Sequence, residues 1–281
     1  MDVIAEGLAF PEGPVVMADG SVIVVEIMAG RVTRCWDGKS ETVCKTGGGP
    51  NGAAIGPDGA LWVCNNGGMS HGSVPSSDGW IERIDLSTGK SERVYERCDG
   101  RALQAPNDLV FDSSGRLWFT DLGTLGATER TIGGVFTCLP DGSEITALYR
   151  NSFSYNGIGL SPDEKHVYVA DTFQARLYRY DARAEAQQPQ YVTTATGEVG
   201  FDSLAVAASG NICVAMVFNG GIATITPGGD ISVLDIPGEQ HVTNIAFGGE
   251  DMRDAYITLS GTGKLVRMRW DEPGLKLAFN A

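Results

Sequence analysis

The sequence predicts an all-β protein, a six-bladed β-propeller with four antiparallel strands per blade around a central channel. Three observations predict it. Six similar passages recur in order: FPEGPVVMADGSVIVVE (10–26), GPNGAAIGPDGALWVCN (49–65), APNDLVFDSSGRLWFTD (105–121), SYNGIGLSPDEKHVYVAD (154–171), GFDSLAVAASGNICVAM (200–216) and HVTNIAFGGEDMRDAYIT (241–258). The polar residues near their starts are Glu12, Asn51, Asn107, Asn156, Asp202 and Asn244, spaced by 39, 56, 49, 46 and 42 residues. That spacing matches the roughly 40–50 residue period of propeller blades. Finally, 38 glycines and 12 prolines punctuate short apolar runs, as tight turns between strands require.

Each unit reads as strands throughout. The second pairs AAIG with ALWVCN across Pro57-Asp58-Gly59. The third joins LVFD to RLWFTD through Ser113-Ser114-Gly115, and the fourth joins GIGL to HVYVAD through Ser161-Pro162-Asp163-Glu164. These are hairpin signals. A second strand pair follows each hairpin, as in GWIERID (79–85) with SERVYER (91–97), or ARLYRYD (175–181) with PQYVTTA (189–195). Such units cannot bury their faces alone, so they stack around an axis, and closure protects their edges. No Pro/Ser-rich linker divides the chain, so residues 1–281 form one domain. The final segment GLKLAFN (274–280) is expected to complete the first blade. Two irregular stretches, MSHGSVPSSDG (69–79) and residues 122–134, are expected to wall or cover the channel mouth.

Composition excludes several function classes. With 42% hydrophobic residues the chain supports a large core, and disorder is excluded. No apolar run reaches the ~18 residues of a membrane helix. MDVIAEGLAF has neither the basic nor the apolar region of a secretory leader, which points to the cytoplasm. A net charge of −14, from 35 acids and 21 bases, argues against nucleic acid as a partner. The six cysteines form no CxxC pair, and His71, His166 and His241 stand at no zinc-like spacing from them. Reduced, buried thiols are therefore expected. The sequence does not decide between a monomer and a homo-oligomer.

Ring closure would bring the six polar starts together at one end of the channel. Two carboxylates among amide oxygens suit one divalent cation, Ca²⁺ first, with Mg²⁺, Mn²⁺, Zn²⁺ or Fe as alternatives. A single PNG or PND is merely a turn signal, because Asn and Asp bond their own backbone. Six aligned occurrences point instead to a site.

These residues also carry a resemblance. FPEGP, PNDLVFDSSGRLWFTD, YNGIGLSPDEKHVYVADT, GFDSLAVAASGNICVA and VTNIAFGG, in that order, resemble the SMP-30/gluconolactonase/luciferin-regenerating-enzyme family along nearly the whole chain. The resemblance implies a six-bladed propeller with a divalent metal in its channel and a small-molecule lactone, notably an aldonolactone, as substrate. It places the metal ligands on Glu12, Asn156 and Asp202. Asn107 faces substrate or metal, as a ligand in the related phosphotriesterase-like propellers. The implied chemistry is water attack on a metal-polarised carbonyl, with Asp202 as general base or as nucleophile.

The chain departs from the family pattern where Ala105 stands in place of an arginine, and where the LGTLGATERT loop (122–131) replaces a region bearing a glutamate. Asn51, Asn65, Asn244 and His241 are expected as pocket-lining residues, Asn66 as a turn residue, and Asp121 and Asp171 as supports for turns. His71 and His241 also read as plain loop histidines. The readings that compete with a lactonase are phosphotriester or phosphofluoridate hydrolysis on the same metal, and a noncatalytic ligand-binding propeller. An alkaloid-condensing propeller has no need of Glu12, Asn156 and Asp202 together.

Overall fold

The computed structural model describes residues 1–68, 77–126 and 129–279. Six four-stranded antiparallel sheets are arranged as blades around a channel. Their innermost strands are Pro11–Val16, Pro50–Ile55, Pro106–Phe111, Tyr155–Leu160, Gly200–Val206 and Val242–Gly248. Each lies against the innermost strand of the next blade, and the sixth lies against the first. Among the described residues no helix is long and apolar enough to cross a membrane.

The first blade is complete within Pro11–Lys45, so the C-terminal segment does not supply it, contrary to the sequence-based expectation. The ring is closed instead by the N-terminal strand Asp2–Glu6, which pairs with Lys264–Arg269 as the outer strand of the sixth blade. Pattern alone could not choose between the two termini, since each offers one short apolar strand. The C-terminal segment crosses the end of the channel remote from the polar starts. Leu275 N donates to Val206 O at 2.8 Å, and Phe279 meets Phe111 edge-on at 6.1 Å. Leu275, Leu277 and Phe279 bound an apolar cavity of about 110 Å3 there. Asn280 lies outside the described residues.

Packing is distributed between blades rather than gathered at a centre. Six apolar clusters occupy the six seams, such as Trp62, Phe111, Phe119 and Phe136 between the second and third blades. The seam between the sixth and first blades holds Ala5, Leu8, Val22 and Leu265. All six cysteines are buried and free, as expected. Burial pushes the Cys35 and Cys213 thiols up to about 12 and Cys98 to about 11, which leaves them inert as nucleophiles.

The strand pairing slips by one residue at the same place in every blade. The slip falls between Glu12 and Val15, Pro50 and Ala53, Pro106 and Leu109, Tyr155 and Ile158, Phe201 and Leu204, and Val242 and Asn244. Such slips re-aim a side chain. They set Glu12, Asn51, Asn107, Asn156, Asp202 and Thr243 at one level. The residues that follow are Gly13, Gly52, Asp108, Gly157, Ser203 and Asn244.

Three of those following residues are glycines for a steric reason. A Cβ on Gly157 would lie 2.6 Å from Asp202 O and 2.7 Å from Ser203 Cα. One on Gly52 would lie 2.5 Å from Asp108 Cα, and one on Gly13 would lie 2.6 Å from Asn51 O. Adjacent inner strands therefore touch backbone to backbone at the level of the site. Gly157→Ala is expected to force the fourth and fifth blades apart and to cost about 1–3 kcal/mol by overpacking, read as a lower urea midpoint. An unchanged midpoint would show that the strands can give way.

Candidate metal and active site

Phe10, Glu12, Ile27, Met28, Asn51, Asn66, Asn107, Leu122, Asn156, Asp202 and Thr243 line a cavity of about 240 Å3 at the mouth of the channel. The structure thus brings together Glu12, Asn51, Asn107, Asn156 and Asp202 as the sequence predicts. Two of the predicted residues lie elsewhere. Asn244 is one residue out of register: it faces the apolar end of the channel and its Nδ2 donates to Glu12 Oε2 at 2.7 Å. The true sixth member is Thr243, which an alignment on polar identity passes over because VTN offers two polar residues. His241 borders a separate recess with Glu239 and Thr262, and it meets the cavity residue Phe10 edge-on at 6.2 Å.

The loops leading into the inner strands are held by side chains at the ends of the second strands. Ala9 N donates to Glu26 Oε2 at 2.7 Å, and Gly49 N donates to Asn65 Oδ1 at 2.9 Å. Asp121 accepts from Gln104 N at 2.7 Å and Ala105 N at 2.9 Å, while Asp171 accepts from Ser154 Oγ at 2.7 Å. Asp121 and Asp171 are supports, as expected. Asn65 and Asn66 exchange the places expected of them, since Asn65 ends its strand turned away from the channel and Asn66 reaches the cavity. Of the two loops expected to cover the mouth, Leu122 reaches the cavity. Residues 69–76, with His71, lie outside the described residues, as do residues 127–128.

Electrostatically the floor of the cavity is starved of positive charge. Burial holds Glu12 well above the usual carboxylate range, and the charges of Asp202 and Asp108 push the same way. The Asn244 and Gly13 donors oppose them. Asp202 keeps some exposure to the cavity, yet burial still raises it to about 8, with a further push from Asp108 against the Asn156 amide. Asp108, missed in the sequence reading, is raised to about 7 by burial. Its position after Asn107, on the alternate side of the strand, was the available signal.

One amide oxygen completes the picture. Asn107 is 5% exposed, and its Oδ1 is one of three buried side-chain polar atoms among the described residues that have no hydrogen-bond partner. A buried acceptor without a donor is costly and calls for an explanation. A hard cation supplies one, and the surrounding oxygens of Glu12, Asn156 and Asp202 fit it. Among the described residues no three His, Cys, Asp or Glu side chains cluster as a metal site, so a cation here would need the amide oxygens as well as the two acids.

The family model for the SMP-30/Gluconolactonase/LRE-like region matches residues 10–261. The chain belongs to this family. Its relatives include a gluconolactonase of Zymomonas mobilis, 28% identical over 62% of this chain and 52% of the relative, so the match spans about half that protein's length. A lactonase of Staphylococcus haemolyticus is 30% identical over 83% of this chain and 71% of its own. In fold, the SMP-30/gluconolactonase-like chain matches the structure of a gluconolactonase from Xanthomonas campestris with a TM-score of 0.77 at 22% identity, covering 95% and 88% of the two chains. It also matches regucalcin of Agrobacterium tumefaciens, a calcium-binding protein, with a TM-score of 0.74 at 20% identity over 99% and 100%.

The raised carboxyls give a pH dependence. In cation-free protein Asp202 stays protonated up to about 8, whereas in the unfolded chain it ionises near 4. The folded state therefore binds more protons between those values, and its stability falls as pH rises across that window. Thermal unfolding of chelated protein is expected at a lower temperature at pH 8 than at pH 5. Saturating Ca²⁺ should abolish the decline and release protons on binding near neutral pH, which calorimetry in buffers of different ionisation enthalpy would detect. A chelated protein equally stable at both pH values would remove the carboxyl cluster as the cause.

Proposed function

We propose that the chain is a divalent-cation-dependent lactonase that opens a small lactone, an aldonolactone first among them, to its hydroxy acid. The observation that carries this reading is the unpartnered Asn107 Oδ1 in a cavity floored by Glu12, Asn156 and Asp202. Family membership and the names of the two lactonase relatives support it. Glu12, Asn156, Asp202 and Asn107 would hold the cation, with Ca²⁺ the best match to this oxygen set. Bound there, a cation supplies Lewis acidity to the ester carbonyl and keeps Asp202 ionised.

The chain's own residues do the rest. Asp202 faces the cavity and either accepts the proton of the attacking water at a carboxylate oxygen or attacks the carbonyl carbon itself. Asn244 fixes the rotamer of Glu12 through the 2.7 Å bond to Oε2, and the Gly13 amide donates to the same oxygen. The Asn156 Nδ2 donates to Thr172 Oγ1 at 3.1 Å, and its Oδ1, which accepts from Ser203 Oγ at 3.4 Å, would offer its second lone pair to the cation. Asn51, Asn66 and Thr243 offer polar groups to the ring and hydroxyl oxygens of a substrate, while Phe10, Ile27, Met28 and Leu122 exclude water from the walls.

Elemental analysis and a panel of lactones, with one phosphotriester added and assayed with and without chelator, test the proposal. Chelator-sensitive acid release from a lactone is expected, and metal-loaded protein that opens no lactone above background would defeat the reading. Turnover of the phosphotriester alone would favour phosphoester hydrolysis. Asp202→Asn should keep the fold, seen by circular dichroism, and lose at least ~100-fold in kcat. Glu12→Gln should weaken cation affinity by ~10-fold or more in a calorimetric titration, since it removes one of two anionic ligands.

A further inference from the structure

A second pocket opens on the same face of the ring, outside the cavity just described and between the third and fourth blades. It encloses about 490 Å3, and its walls include Leu125, Arg130, Ile132, Phe153, Phe173 and Tyr178. It and the site cavity back onto one wall: Ser154 N donates to Leu122 O at 2.8 Å, and Thr172 N donates to Ser154 O at 3.0 Å. Leu122 faces the site cavity, whereas Ser154 faces the second pocket.

Three features of this pocket point to a ligand. Of the ten large apolar side chains exposed among the described residues, Leu125, Ile132 and Phe173 all lie here, Phe173 at 55%. Phe153 and Phe173 stack with centroids 5.5 Å apart and planes 3° from parallel, and Phe173, the exposed member of the pair, is the aromatic platform that the surface offers. Arg130 sits 5.1 Å over the Phe153 ring and forms no ion pair among the described residues. The guanidinium is therefore available to an incoming anion.

Its position is held rather than trailing. Thr131 N donates to Thr124 O at 2.9 Å, Thr124 N donates to Thr131 Oγ1 at 2.9 Å, and Gly126 N donates to Glu129 O at 2.7 Å. Arg176 adds a second cation at the edge, bound to the neutral Gln174 Oε1 at 2.7 Å. The one carboxylate of the lining, Asp171, is buried and engaged by Ser154 Oγ and Gln174 N, so it lies beneath the platform rather than on it.

We propose that this pocket is a binding site for a planar, apolar small-molecule carboxylate, whose ring lies on the Phe173 platform while its carboxylate pairs with the Arg130 guanidinium. Guanidinium and carboxylate match in a bidentate fork, and an aromatic platform favours a flat ligand over a branched one. The site is independent of the lactonase reading and takes no part in its chemistry.

The test is a ligand-observed NMR titration of the full chain with trans-cinnamate. Cinnamyl alcohol serves as the neutral ring control and acetate as the ringless anion, each in Ca²⁺-loaded and in chelated protein. Cinnamate should saturate below about 10 mM, more tightly than either control and equally in both metal states. Arg130→Gln and Phe173→Ser, both at exposed positions, should each weaken it about tenfold and leave cation affinity unchanged. Binding of cinnamyl alcohol as tight as that of cinnamate, or cinnamate binding unaltered by Arg130→Gln, would overturn the proposal. So would binding that vanishes with chelator, because the carboxylate would then be on the cation. Failure of lactone turnover, with this pattern intact, would count against the catalytic reading alone.

Discussion

The contact between neighbouring inner strands at Gly13, Gly52 and Gly157 is the constraint on which the rest of the molecule depends. No side chain fits there, because each Cβ would lie within 2.6 Å of a backbone atom of the next blade. At these three seams the ring closes with backbone against backbone. The register slip, present in all six blades, turns the residue before this position into the channel while the strand stays paired on either side. Close approach and site geometry are thus one feature: what draws the blades together also aims Glu12, Asn51 and Asn156 at a common point.

That geometry imposes an electrostatic burden. Glu12, Asp108 and Asp202 converge in a part of the ring whose lining, among the described residues, holds no Lys, Arg or His, and burial raises all three carboxyls above their usual range. Glu26, buried to a similar extent, is paired with Arg31 at 2.6 Å and bonded by Thr33, and its carboxyl is lowered. The contrast is between Glu26, which anchors a loop and is paired with a guanidinium, and Glu12, whose donors are the neutral Asn244 amide and Gly13 N. Asn107 Oδ1, left without a donor, belongs to the same arrangement.

Most of this was legible in the residues. The repeat of hairpins gave away the propeller, and five of the six predicted channel-facing groups, Glu12, Asn51, Asn107, Asn156 and Asp202, line the cavity. Three matters were not legible. Asn244 and Thr243 are both polar, and only the slip in pairing shows which one enters the cavity. Asp108 reads as a turn-former beside Asn107 until the neighbouring blade is seen to bury it. Asn65 and Asn66 differ by one residue at a strand end, where alternation no longer decides the direction of a side chain.

By itself the sequence determined the fold, the number of blades and the identity of the acids and amides at their starts, because strand periodicity and turn chemistry are local and repeat six times. Tertiary structure alone decided that the N-terminal strand closes the ring and that the C-terminal segment seals its far end. It also decided that Arg130 comes to rest over Phe153. Each of these brings together parts of the chain with no shared pattern, and what joins them is the burial of complementary surfaces, which no local signal encodes.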